Sequence, residues 1–376
     1  MKKSRTLLLT LFSILLQLSL SGQSYLMYIG TYTTWKEGGK GIYAYRFLPD
    51  SGKIVYAGLT HGIRNPSFLL ADPSGQYLYA VNELGNRHGG VSSFSIERPG
   101  GKLTPLSTQP TGGDAPCHLT LDEAGTTLFT ANYAGGSVSV FPVTEGRIWE
   151  RTALITHEGH GPIAARQRGP HPHEVVINAV DHLLYVPDLG LDKVFLYRPR
   201  QAQQPLPAAQ PYVTTAPGGG PRHLAFSPDG YEMYVVLEMA SRLAHFHRDD
   251  PATPWQEIGS VSLLPEDADA TGNTGAEVVI TPDGKYLYAS NRGHNSISLF
   301  SLERDGKPVM TGNYPCGGKT PRFFTLDPTG KYLLVLNQDS NNMVLFLRKN
   351  DGSLVPTGTD ISVPKPVCAV FVPANL

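Results

Sequence analysis

The feature that most constrains this chain is a repeat whose final copy is divided between the two termini. Six segments, beginning at Asn65, Ala115, Pro170, Gly220, Thr274 and Thr320, share one plan. Each has a short apolar run, a turn rich in Asp, Pro, Ser or Gly, and a second apolar run, as in NPSFLLADPSGQYLYAVN and TPRFFTLDPTGKYLLVLN. The copies align on Pro66, Pro116, Pro172, Pro221, Gly275 and Pro321, which recur every 46 to 56 residues. Sixteen positions after each anchor stand Asn82, Asn132, Asp188, Leu237, Asn291 and Asn337. Alternating apolar runs bounded by turn formers predict antiparallel hairpins, in which the start of strand one lies beside the end of strand two. In residues 169–197 that rule brings His173 beside Asp188, with Asn178 and Asp181 in the turn.

The seventh copy is halved. Lys365, Pro366 and the apolar run 367–372 end the chain, while residues 26–32, 41–47 and 54–60 match strands two, three and four of the repeat. One C-terminal strand joined to three N-terminal strands completes the copy and closes a ring, which removes the free sheet edges of an open array. The predicted fold is therefore all-β: a seven-bladed β-propeller with four antiparallel strands in each blade. The spacing is near that of WD40 and kelch repeats, but the Gly-His and Trp-Asp marks of the former are absent. With 40 glycines and 31 prolines among 376 residues, the composition suits many short strands joined by turns.

Residues 1–21 stand apart. Lys2, Lys3 and Arg5 precede an apolar run over 6–20, and Ser19 and Ser21 place small residues before Gly22. This pattern predicts a secretory signal peptide over 1–21, then one propeller domain over 22–376 in the periplasm or secreted, with no membrane span after cleavage. A buried N-terminal helix is the alternative reading of the same run. The net charge of −1, without a basic stripe, argues against nucleic-acid partners. Cys117, Cys316 and Cys368 are odd in number and unequally spaced, so they form neither a metal motif nor a disulfide framework.

In a propeller each blade runs outward from a central channel, so the strand after each anchor lines that channel. Around the ring the two residues after the anchor are Ser67/Phe68, Cys117/His118, His173/Glu174, Arg222/His223, Ala276/Glu277, Arg322/Phe323 and Val367/Cys368. The hairpin rule brings to the same face Asn82/Glu83, Asn132/Tyr133, Asp188/Leu189, Leu237/Glu238, Asn291/Arg292 and Asn337/Gln338. The long linkers 156–170 and 264–274 should hang over this face, and turns such as Ser227-Pro228-Asp229-Gly230 should point away. Strand alternation predicts that only about half of these side chains enter the channel.

Arginines beside imidazoles and carboxylates suit an anionic or polyhydroxylated ligand, with an imidazole or carboxylate able to move a proton. Structural readings stand beside the functional ones. The recurring Asn can bind backbone at a blade corner, His118 and His223 can be satisfied residues between blades, and Arg222 and Arg322 can pair with carboxylates for structure alone. The residues at the repeat position of Glu238 and Arg292 vary from copy to copy, so a repeat-wide structural role explains these two poorly and a function explains them better. His171, His173 and Asp188 do not fix a metal-ligand set, so no metal is assigned.

Several motifs, GPHPHEVV, YVPDLGLDKVFLY, GPRHLAFSPDG, YASNRGHNSISLF and PRFFTLDPTGKYLLVLNQ, together resemble the lactonase family of seven-bladed propellers, and the likeness spans the chain after residue 21. That family includes propeller-type bacterial 6-phosphogluconolactonases and the fungal carboxy-cis,cis-muconate lactonizing enzyme. The resemblance implies catalytic roles for His173, Arg222, Glu238 and Arg292. His118, Asn132, His171, Asp188, His223, Glu277, Arg322 and Gln338 are the candidate substrate-binding residues around them. The expected function is ring opening of a sugar or related lactone by a monomer that needs no cofactor or metal. An export signal sits poorly with a cytoplasmic sugar phosphate, so either the substrate is an unphosphorylated or extracellular lactone or the propeller has been put to another use. Two other readings stay open: a non-catalytic propeller that binds sugar acids or glycans, and a muconate-type cyclase.

Overall fold

The computed structural model describes residues 23–200 and 203–375, so the leader over 1–21 lies outside the described residues. Those residues form seven antiparallel sheets. Blades are numbered here from the copy that starts at Asn65. The closing blade, the seventh, has the strand order Pro366–Pro373, Tyr25–Thr31, Gly41–Leu48, Lys53–His61. Tyr25 pairs with Pro373 and Thr31 with Pro366 across its first pair of strands. The ring is therefore joined by one C-terminal and three N-terminal strands. Blade 2 departs from the plan: its outer strand is broken into Arg147–Ile148 and Ala153–Thr156, which pair with the two ends of Ser137–Thr144.

The core lies between blades, because the second strand of each hairpin is covered on both faces. In Tyr25–Thr31 every residue is buried. Tyr25, Met27 and Ile29 pack with Tyr332, Leu334 and Leu336 of blade 6, while Leu26 and Tyr28 pack with Leu78 and Ala80 of blade 1. Period-two alternation thus sends odd residues to one neighbour and even residues to the other. The hairpin to the third strand imposes a second constraint. Asn86, Gly136, Asp192, Ser241, Asn295 and Asn341, all 20 positions after their anchors, take φ between +51° and +59°. Gly, Asn and Asp tolerate this left-handed conformation best, and they fill all but one of the six positions.

The first strands of successive blades pack against one another around the axis, as Pro221–Phe226 does with Thr274–Ile280 and that strand with Pro321–Leu326. These strands differ from the alternation expected of them. Pro221 pairs with Leu237, yet Leu224 pairs with Val235, so the first strand carries one extra residue. The same register shift follows Pro116, Gly275 and Pro321. Such a β-bulge lets two consecutive side chains turn to one side. Arg222 and His223 both line the channel as a result, as do Arg322 and Phe323. The recurring Asn has a structural place: Asn82, Asn291 and Asn337 donate to the carbonyls of Arg64, Leu263 and Cys316, where the preceding blade ends.

Deleting residues 365–376 removes a strand whose Val367, Cys368 and Val372 are fully buried, each contributing roughly 1.5–3 kcal/mol if apolar burial is complete. The shortened chain should lose its cooperative thermal transition or melt at least about 10 °C lower, at roughly 2–4 °C per kcal/mol. An unchanged melting temperature in a calorimetric scan would contradict the closure.

Candidate functional site

The bulged ends of the inner strands and the ends of the second strands meet at one mouth of the channel. Its dominant contact is a carboxylate held by three guanidiniums. Glu238, one residue past Glu232–Leu237, lies 3.0 Å from Arg222 Nε and 2.9 Å from Arg292 Nη2 through Oε2, and its Oε1 accepts from Arg166 Nη2 at 2.7 Å. Arg222 and Arg292 are themselves fixed, donating to the carbonyls of Ala276 (2.6 Å) and Gly275 (2.7 Å). Burial alone would raise the Glu238 pKa, but Arg292, Arg222 and Arg166 outweigh it and hold the group at about 2. Glu238 is therefore a permanent anion that orients three cations.

Beside it the channel wall carries three imidazoles. His118, His173 and His223 are all buried, and burial first, then neighbouring charges including Arg222, push each well below the usual histidine range. All three are neutral. Ring centroids of His173 and His223 are 5.0 Å apart, and those of His118 and His223 5.4 Å. His223 Nδ1 lies 2.9 Å from Glu277 Oε1, and His118 Nε2 lies 3.7 Å from Glu174 Oε1. Both acids are pushed up. Glu174 is raised by burial and by Glu277, and Glu277 by burial to about 7. His173 differs from the other two in that neither ring nitrogen has a hydrogen-bond partner among the described residues. Arg322 makes no ion pair among them either. Its guanidinium sits 5.6 Å from the ring of Tyr32, whose hydroxyl donates to Glu83.

The residues singled out in the sequence thus divide. His173, Arg222, Glu238, Arg292, His118, His223, Glu277 and Arg322 come together. His171 stacks on Tyr133 at the rim, 4.7 Å between centroids, with Nδ1 2.9 Å from the Tyr133 carbonyl oxygen. Gln338 is buried at the same strand end and donates to Asp339. Asp188 and Asn132 point elsewhere. The Asp188 carboxylate pairs with His157 Nδ1 at 2.7 Å and accepts from the His171 and Gly190 amides, and Asn132 donates to Ser137 and Ser139. His171, His173 and Asp188 consequently present no convergent donors. Sequence reasoning missed Arg166. It lies in the linker assigned to this face, but nothing in AARQRG separates it from Arg168. Tyr32 could have been found from the closure register. Thr31 opposite Pro366 puts Tyr32 at the repeat position of Glu238 and Arg292.

Replacing Glu238 by Gln should cost about 3–5 kcal/mol, because it leaves buried guanidiniums facing one another. The folded-state pKa of Glu238 is depressed, so its stabilisation is complete above the unfolded carboxylate value near 4.3 and fades as the pH falls toward about 2. Denaturant melts of wild type and Glu238→Gln should differ most above pH ~5 and converge near pH ~2. A gap that does not change with pH would refute the three-arginine account.

The family model described as "Lactonase, 7-bladed beta-propeller" matches residues 26–371. A 6-phosphogluconolactonase of Bacillus subtilis is 33% identical over 302 residues, covering 80% of this chain and 84% of that protein. One from Formosa agariphila is 33% identical over 307 residues, 80% of this chain and 86% of its own. The solved structure of a periplasmic gluconolactonase from Pseudomonas aeruginosa superposes with a TM-score of 0.86 at 32% identity, covering 93% of this chain and 99% of that one. The chain belongs to the lactonase family of seven-bladed β-propellers and is, by that membership, an enzyme of the lactone-hydrolase class.

Proposed function

We propose that the protein is an exported hydrolase that opens an unphosphorylated sugar lactone or a related extracellular lactone, using side chains alone. The observation that carries this reading is His173, a neutral imidazole whose ring has no hydrogen bond among the described residues, set beside guanidiniums whose directions are fixed. A neutral imidazole can take a proton, and fixed cations stabilise negative charge where it develops. Glu238, held at about 2, is too weak a base to share the first role.

The lactone carbonyl lies toward Arg222 and Arg292. Water attacks its carbon, and as the new C–O bond forms His173 takes one proton from that water. Negative charge builds on the carbonyl oxygen, where the guanidiniums stabilise it. When the tetrahedral centre collapses the ring C–O bond breaks, and the proton goes to the ring oxygen as it becomes a hydroxyl. The product is the open hydroxy acid, which ionises. Arg322, which makes no ion pair among the described residues, is available to a hydroxyl or acidic group of the substrate.

Export rests on the leader pattern of residues 1–21, and on the compartment named for the Pseudomonas aeruginosa relative. Among the described residues no helix is long and apolar enough to cross a membrane. Cleavage before Gly22 would free a chain whose first strand starts at Tyr25, just after the residue whose carbonyl accepts the Ala374 amide.

A pH-stat assay over a panel of aldonolactones tests the chemistry. His173→Ala should lower kcat/KM by about 10²–10⁴-fold, whereas Lys285→Ala, in a turn at the far face, should leave it unchanged. Arg322→Lys keeps the charge but loses the planar fork, so it should mainly raise KM. Full turnover by His173→Ala would remove the assignment. Thermal stabilisation by lactones without any turnover would make the protein a binding propeller instead. N-terminal sequencing of exported protein should find a start between residues 22 and 25, and an intact Met1 would reject the leader.

A further inference from the structure

A second imidazole lies behind His173 and is built differently. His223 stands on Pro221–Phe226 and Glu277 on Thr274–Ile280, and both side chains are buried. Glu277 Oε1 accepts the Val278 amide at 3.0 Å and lies 2.9 Å from His223 Nδ1. An oxygen that already accepts one N–H is best placed to accept another, so the hydrogen of neutral His223 sits on Nδ1 and Nε2 presents a lone pair. Among the described residues that Nε2 is buried without a partner, and so are His173 Nδ1 and Glu277 Oε2. The two imidazoles and Glu277, with Ser67, Arg222 and Arg322, line one small cavity with room for roughly a single water molecule. A buried polar atom left open is costly, and here three of them belong to residues that line the same small space. Three open atoms around one space mark a place for a small polar occupant.

We propose that His223 and Glu277 form a buried proton-accepting pair that acts through His173, reached by one water held between the two imidazoles. This rests on the lactone-hydrolase reading above. His173 begins with its hydrogen on buried Nδ1 and its lone pair on Nε2, facing the substrate. As Nε2 takes the proton of the attacking water, Nδ1 gives its own proton to the bridging water, which passes one to His223 Nε2. His173 ends neutral with its hydrogen moved to Nε2, and His223 becomes an imidazolium against the Glu277 carboxylate. The reverse flow delivers a proton to the ring oxygen when the C–O bond breaks, so protons balance over the cycle.

Charge explains why the pair is needed. A cationic His173 would face Arg222, Arg322 and Arg292, and it forms no ion pair among the described residues. The pair instead goes from one negative charge to none when it accepts a proton, which burial favours. Glu277 is faced by His223 and Arg222 from blade 4, Arg322 from blade 6, Glu174 from blade 3 and Cys368 from the closing blade, and burial leaves it at about 7. The pair accepts a proton only when Glu277 is ionised, so kcat should rise with pH through about 7.

Glu277→Gln keeps an oxygen for His223 Nδ1 but removes the charge. The variant should lose about 10²-fold in kcat with KM unchanged, and its kcat profile should lack the rise near pH 7. In the wild type, kcat measured across H₂O/D₂O mixtures should give a curved dependence on deuterium fraction, because more than one proton moves in the rate-determining step. A Glu277→Gln enzyme with wild-type kcat and an unchanged acid limb overturns the proposal, and so does a linear isotope dependence in the wild type. The isotope measurement needs no variant, so a Glu277→Gln chain that fails to fold does not protect the idea. A wild type inert on every lactone of the panel would instead sink the lactone-hydrolase reading, and this proposal with it.

Discussion

Everything at the channel mouth depends on the pairing of Pro366–Pro373 with Tyr25–Thr31. A propeller blade buries apolar surface on both faces only if it has a neighbour on each side, and the seventh blade exists only when the termini meet. Closure then fixes where seven strand starts and seven strand ends lie. Residues as distant in sequence as Tyr32 and Arg322 come into contact for that reason alone. The site is a by-product of the ring: equivalent positions of a repeat converge on one axis, and any copy that departs from the repeat residue places a new group there.

The groups placed there are sorted by environment rather than by type. Glu238 and Glu277 are both buried carboxylates a few strands apart, yet one is held at about 2 and the other at about 7. Three guanidiniums touch the first, whereas the second has an imidazole and one backbone amide. Two carboxylates driven apart in this way can divide the work, one as fixed charge among cations and one as the partner of an imidazole. The imidazoles follow the same logic. Cations and burial keep all three neutral, which is the form able to accept a proton, and only their partners distinguish them.

The bulge that follows Pro116, Pro221, Gly275 and Pro321 is the smallest feature with the largest effect on the site. Without it Arg222 and His223 would point to opposite faces, and the channel would hold either the cation or the imidazole of blade 4. With it, one blade contributes Arg222 to the Glu238 cluster and His223 to Glu277. The linker over 156–170 adds what the repeat cannot, bringing Arg166 across to Glu238 from between blades 2 and 3.

The sequence by itself determined the ring, because strand alternation, turn residues and the interval between copies are local and periodic. Seven blades, the shared seventh blade and the face on which His173, Arg222, Glu238 and Arg292 gather all follow from counting along one line of residues. Tertiary structure decided which side chains of that face act on one another. Asp188 and Asn132 stand at the right end of their strands, but His157 in one case and Ser137 and Ser139 in the other lie nearer than the channel and take their hydrogen bonds. The bulges depend on pairing with a strand some 15 residues away, and Arg166 depends on the path of an irregular linker. Neither leaves a periodic mark. Protonation is more remote still, since whether a buried Glu sits near 2 or near 7 depends on how many guanidiniums reach it, and those come from another strand of the same blade, from neighbouring blades and from a linker.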